Sequence, residues 1–197
     1  MTTAAPLDTR TRILETALEL FAEHGFDGTT LQQIADRLGF TKAALYYHFR
    51  SKDDLLQATV SPAIADLEAL LCVHEELPDS PAQRRRFMED YLDYLLCHRR
   101  LIAYMVSDLA IVAHPAIAAG SADRRARMQA MVAGDGLDFH HQVRVTMAFR
   151  GIGGVIAQYP DANTAELREA LLDAARALLR PGRRRSPPAT ASATPPR

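Results

Sequence analysis

The sequence is short of the features that announce a membrane, secreted or catalytic protein. No uninterrupted apolar run approaches the roughly 18 residues that a membrane helix needs, and the opening MTTAAPLDTR has neither the basic region nor the apolar core of a secretory signal. There are two cysteines, Cys72 and Cys97, both within apolar helical patterns. They read as reduced, buried side chains, which suits a cytoplasmic protein better than a disulfide framework. No nucleophile elbow, phosphate-cradling glycine loop or HExxH zinc motif occurs. Gly151–Ile152–Gly153–Gly154 sits in an apolar helical run with no strand before it, and the acid pairs Asp53–Asp54 and Glu75–Glu76 fall at a helix start and a polar end. No catalytic constellation is present, so the chain does not read as an enzyme, and no cofactor is implied.

Metal sensing fares no better. His98, His114, His140 and His141 match no compact ligand spacing, and the consecutive pair His140–His141 diverges by about 100° on a helix. The formal net charge of −1 does not announce a nucleic-acid partner either. Its distribution does more: residues 41–52, TKAALYYHFRSK, hold Lys42, Arg50 and Lys52 without one acid, a local positive patch that can sit against phosphate.

What is present is helical pattern almost throughout, an all-α chain. Thr9 to His24, TRTRILETALELFAEH, aligns Ile13, Leu14, Ala17, Leu18 and Phe21 at three- and four-residue spacing, and Gly25 supplies a left-handed end. Thr30 and Gln33 form a capping box for a second helix closed by Gly39. Thr41 caps a short third helix, to about His48, with Leu45 and Phe49 as core anchors. Ser51 caps a fourth, running toward Cys72 and expected to kink or divide at Pro62. Further helices are expected at about 84–98, 101–113, 121–132, 138–158 and 164–179, with a break at Gly134–Asp135–Gly136. The tail PGRRRSPPATASATPPR has almost nothing to bury and reads as disordered. The organisation is therefore a helical unit over 9–56, a second helical domain over 57–180, and a basic, proline-rich tail over 181–197.

Three short helices with a glycine turn between the second and third make a helix-turn-helix candidate, whose third helix faces the major groove. Lys42 can donate to guanine O6 or N7 and the Ala43 methyl can pack on thymine. Tyr46, Tyr47 and His48 can meet base or phosphate, and Lys52 with the first amides of the fourth helix can hold a phosphate. The competing reading is a helical interaction protein in which Tyr46 and Tyr47 are the edges of a small bundle's core.

The run ILETALELFAEHGF, TTLQQIADRLG, LYYHF and SKDDLL, over about Arg10 to Leu56, resembles the DNA-binding domain of the TetR family of bacterial transcriptional regulators. The resemblance implies a homodimer on a two-fold symmetric operator in double-stranded DNA, repressing in the commoner case until a small molecule enters the C-terminal domain. It places Gln32, Lys42, Ala43 and Tyr46 where members read bases, and Thr30, Tyr47, His48 and Lys52 where members hold phosphate. Ala44 stands where some members carry a hydroxyl, so direct readout is expected to be sparse and DNA shape to contribute.

A symmetric operator requires a symmetric protein. The last two helices offer small and apolar residues for the interface, Ala148, Gly151, Gly154 and Ala157 on one and Leu167, Leu171, Ala174, Ala175 and Leu178 on the other, where the resembled family also dimerises. Alternatively, these faces fill a monomer's core. Phe87, Met88, Tyr91, Tyr94, His98, Tyr104, Met105 and Asp108 could line a cavity for a small apolar or aromatic effector.

Overall fold

The computed structural model describes residues 8–133 and 138–179; the tail and the Gly134–Gly136 break lie outside the described residues. Eleven helices and no strand occur among the described residues. The first three are α1 (Thr9–Gly28), α2 (Leu31–Leu38) and α3 (Lys42–His48), and α4 (Lys52–Glu75) leads out of them. The rest are α5 (Pro81–Cys97), α6 (Arg99–Ser107), the short α7 (Leu109–Val112) and α8 (Pro115–Ala118), then α9 (Ser121–Ala133), α10 (Phe139–Gln158) and α11 (Thr164–Leu179).

Local signals set most boundaries. Thr30 Oγ1 accepts from the Gln33 amide at 3.2 Å while Gln33 Oε1 accepts from the Thr30 amide at 2.7 Å, the reciprocal capping box. Thr41 and Ser51 cap α3 and α4 by accepting from the Ala44 and Asp54 amides. Gly39 closes α2 at φ 69°, a conformation that a side chain would strain. At Gly25 (φ 73°, ψ 166°) the helical backbone of α1 breaks, as the pattern implies, and a further short helical stretch carries the element to Gly28. Pro62 does not divide α4, which runs unbroken through it.

Two apolar cores result, and α4 threads both. Ile13, Phe21, Ile34, Leu45, Phe49, Leu55, Leu56, Val60 and Ala63 pack together with Leu101, Tyr104, Ile111 and Ile117, so the packing of the first three helices continues into α6–α8. Leu67 and Leu71 belong to the second core with Phe87, Leu92, Val145, Ile152, Ile156, Leu167 and Leu171. By length and composition α4 is also the one described helix apolar enough to cross a membrane. Its leucines are shared between two cores, however, and Asp66 and Glu68 on its flank are paired with His98, Arg124 and Arg127, as in a helix packed inside a protein.

The segment read as one helix over 101–113 is broken at Asp108 (φ −116°, ψ 90°), and α8 is an element that the pattern does not reveal. The two cysteines are exposed, because Cys72 and Cys97 lie beside the buried stripes of α4 and α5 rather than on them. α10 packs across α6, where Gly153 leaves room for Val106 and Ile102; a Cβ there would stand 3.4 Å from Val106 Cγ2. Arg99 at the start of α6 donates to the Ala162 and Tyr159 carbonyls (both 3.2 Å), fixing α6 to the turn between α10 and α11.

Candidate functional site

α3 is held by two buried residues, Leu45 and Phe49, and everything else on it faces outward or nearly so. Tyr47 is 87% exposed and Tyr46 45%, uncommon for large rings on a well-anchored helix. Lys42 Nζ lies 5.7 Å from the Tyr46 ring centroid, and the His48 ring meets Tyr47 edge-on at 5.3 Å. Ala43 and Ala44 are exposed beside Lys42. On α2, Gln32 is exposed and its amide donates to Asp36 Oδ1 at 2.7 Å, while Thr30 is exposed at the N-cap. Of the residues expected at DNA, Thr30, Gln32, Lys42, Ala43, Tyr46 and Tyr47 are thus exposed and His48 is half-buried.

Lys52 is engaged elsewhere. Its ammonium donates to the Phe26 carbonyl at 2.6 Å, reaches the Asp27 carbonyl at 3.5 Å, and sits 4.3 Å from the Phe26 ring centroid. It therefore closes the end of α1 against the start of α4. Two cations that the reading of residues 30–52 leaves out lie near α3 instead: Arg10 over the Phe49 ring (5.1 Å) and Arg12 over Phe40 (5.5 Å). The basic spacing of TRTR at the start of α1 is their sequence signal.

Beneath this unit, Asp108 joins the two halves of the molecule. Its Oδ2 accepts from the Phe26 amide and the Tyr104 hydroxyl, each at 3.3 Å. Close by, His114 Nδ1 accepts from the Ala116 amide (3.2 Å), which leaves Nε2 to donate to Asp53 Oδ1 at 2.8 Å. Phe26, Asp53, Asp108 and His114 line a cavity of about 750 Å³ between the end of α1 and the α6–α8 segment.

The eight residues expected to share one pocket do not. Phe87, Met88 and Tyr91 are in the second core and Tyr104 with Met105 in the first. Met88 also walls a cavity of about 440 Å³, Tyr94 and His98 line a shallow depression on α4 and α5, and Asp108 belongs to the junction cavity. Burial, with Asp66 adding, pushes the Tyr94 phenol up to about 12, and burial also raises Tyr91 and Tyr104, so all three stay protonated hydrogen-bond donors at neutral pH. The histidines are dispersed among separate partners: His98 on Asp66, His114 on Asp53, and His141 beside Arg144.

The residues expected at an interface also separate. Ala148 (2% exposed), Leu167, Leu171 and Ala175 are buried within the protomer, where α10 packs on α6 and α11, and α11 packs on α5. Gly151 and Ala174 are exposed, and Gly154, Ala157 and Leu178 are half-buried. The outer face of α10 instead presents Phe139 (74% exposed), Val143, Met147 (56%) and Val155 around Gly151, an apolar stripe at four-residue spacing.

Residues 13–59 match the family model of bacterial regulatory proteins, tetR family. The chain is 35% identical over 104 residues to the probable HTH-type transcriptional regulator ArpR of Pseudomonas putida, covering 53% of this chain and 44% of that protein. It is 38% identical over 64 residues to IcaR of Staphylococcus aureus, the HTH-type negative transcriptional regulator of the biofilm operon icaADBC, covering 32% and 34%. The chain thus spans less than half the length of these two curated relatives. Over nearly its whole length the fold matches the crystal structure of Mycobacterium smegmatis AmtR, with a TM-score of 0.66 at 24% identity, covering 92% of this chain and 91% of that one. Residues 13–59 thus form a helix-turn-helix domain of the type found in bacterial regulatory proteins of the tetR family.

Proposed function

We propose that the protein is a dimeric, sequence-specific transcriptional regulator, a repressor released from a palindromic operator by a small molecule. The observation that carries this reading is the exposure of Tyr46 and Tyr47 on a short helix pinned by Leu45 and Phe49. Rigid exposed aromatics beside a lysine suit a groove surface, since they lose little entropy on contact. Lys42, Ala43, Tyr46 and Gln32 are assigned to base edges, and Thr30, Tyr47 and His48 to phosphate. Lys52 contributes less to phosphate than its position in the motif implies, because its ammonium already serves the end of α1. Such a protein works where the chromosome is, in the cytoplasm.

The exposed stripe of α10 supports a symmetric pairing of α10 and α11 with their mates. Two such protomers would bring their α3 helices to successive major grooves, roughly 34 Å apart. Coupling to an effector requires a ligand that binds the two arrangements unequally. The Asp108–Phe26 bond and the packing of α10 across α6 supply a continuous route from the second domain to the end of α1.

The test is selection of short duplexes by the purified protein from a random pool, at two salt concentrations. Enrichment of a two-fold palindrome is expected. Salt-sensitive binding without enrichment would reduce the protein to a nonspecific DNA binder, and no binding at low salt would favour a helical interaction protein.

A further inference from the structure

The cavity of about 440 Å³ lies at the end of the second core away from the helix-turn-helix, between the start of α5, the end of α9, the start of α10 and the last turns of α11. That volume is in the range that holds a small organic molecule. Met88, Val132 and Leu172 give it apolar walls, and Arg84, Arg85, Arg176 and His141 line it as well. Its one acid, Glu89, already accepts from Arg176 at 3.1 Å, and Arg84 is paired with Asp79. Arg85 has no ion pair among the described residues.

His141 adds a donor without an acceptor. Arg144 can only donate, so its approach to His141 Nδ1 (3.2 Å) makes that nitrogen the acceptor and leaves the ring proton on Nε2. Burial, reinforced by the Arg144 charge, lowers the His141 pKa and keeps the ring neutral. Nε2 is nonetheless buried with no hydrogen-bond partner, and so is the neighbouring Arg144 Nε. Buried donors in folded proteins are ordinarily matched by an acceptor.

We infer that this cavity binds a small organic monoanion, a carboxylate carried on an apolar body, with Arg85 receiving the acid group beside the unmatched donors of His141 and Arg144, and Met88, Val132 and Leu172 the hydrocarbon. A cation would meet the arginines. A neutral hydrocarbon would leave the donors unmatched, and a free inorganic anion would leave the apolar walls uncovered. The junction cavity is a weaker rival, because the Asp53 and Asp108 carboxylates and the His114 ring that line it already hold one another or backbone amides. As an effector site the cavity rests on the regulator reading. Occupancy would act on α11 and on α10, which also carries the exposed stripe, and through α10 on α6 and Asp108.

The test is calorimetric titration of the full chain with decanoate and 4-phenylbutyrate, each beside its primary amide. The expected result is carboxylate binding about tenfold tighter than amide binding, with Arg85→Gln weakening the acid about tenfold and leaving the amide unchanged. Arg85 is exposed, so the variant is expected to fold, which circular dichroism checks. Equal binding of acid and amide, an acid affinity indifferent to Arg85→Gln, or no binding of either acid would overturn the assignment. Operator binding is measured separately on ligand-free protein: its absence would sink the regulator reading while the acid titrations still judge the cavity.

Discussion

Replacing Lys52 by methionine separates two roles for one residue. Methionine keeps most of the apolar stem but removes the ammonium that donates to the Phe26 carbonyl at 2.6 Å and lies 4.3 Å from its ring centroid. A hydrogen bond from a charged donor contributes about 1.5–3 kcal/mol and a cation–π contact at a partly exposed site about 0.5–1 kcal/mol. Lys52 is half-buried, so the lower ends apply and a loss of about 2 kcal/mol is expected. In a chain of this size each kcal/mol shifts the melting temperature by about 2–4 °C, which gives a fall of roughly 4–8 °C. The chain has no tryptophan, so the melt is followed by far-ultraviolet circular dichroism, at fixed protein concentration because any self-association would add to apparent stability. Operator affinity is measured over a salt series with the same preparations. One phosphate contact from each protomer of the proposed dimer would show as a loss of about 1.8 from the slope of log K against log salt, about 0.9 apiece, whereas a clamp leaves the slope alone. An unchanged melting temperature together with a shallower slope would refute the clamp.

Phe87 is fully buried against His74 and Tyr91, so Phe87→Ala is expected to destabilise the fold by about 3–5 kcal/mol in urea denaturation. Phe139→Asp combined with Met147→Asp puts charge on the exposed stripe; sedimentation should then report a monomer, with operator affinity reduced at least roughly 100-fold as the second reading helix is lost. Lys42→Ala should relax preference at one base pair without weakening binding to all sequences, which duplex selection would reveal. His141 is held below its ordinary value of 6.5 by burial and by Arg144. The unfolded chain therefore binds the proton first as pH falls through 6.5, and stability declines toward acid. His141→Gln should flatten that decline below about pH 6.5; an identical slope in both proteins would remove His141 as its source.

Much of the helix-turn-helix is legible in the sequence because its determinants are local. The Thr30–Gln33 box, the Thr41 and Ser51 caps and the left-handed Gly39 each depend on atoms three or four residues apart. For the same reason α11 begins and ends where its pattern does, at Thr164 and Leu179. The outward set of Tyr46, Tyr47 and Lys42 follows once Leu45 and Phe49 are taken as the buried anchors, since one helical turn then fixes which positions remain outside.

Tertiary structure decided what depends on partners distant in sequence. The break at Asp108 has no local breaker; there the carboxylate accepts from an amide 82 residues away. Lys52 carries the motif's basic residue, yet a carbonyl 26 residues back holds it. α10 has apolar residues on most of its circumference, and periodicity cannot tell which of them a neighbour covers. Contact with α6 and α11 buries Ala148 and Ile152 and leaves Phe139, Val143 and Met147 outside. The aromatic residues of α5 and α6 likewise looked like one pocket because they are close in sequence, but α4 divides the interior into two cores and draws them apart. Sequence alone determined most of the helices and the outward residues of the helix-turn-helix, through hydrogen bonds and periodicity within a turn or two. Only packing decided which apolar face is core, which stays exposed and where a cavity remains, because burial belongs to pairs of elements and not to either one.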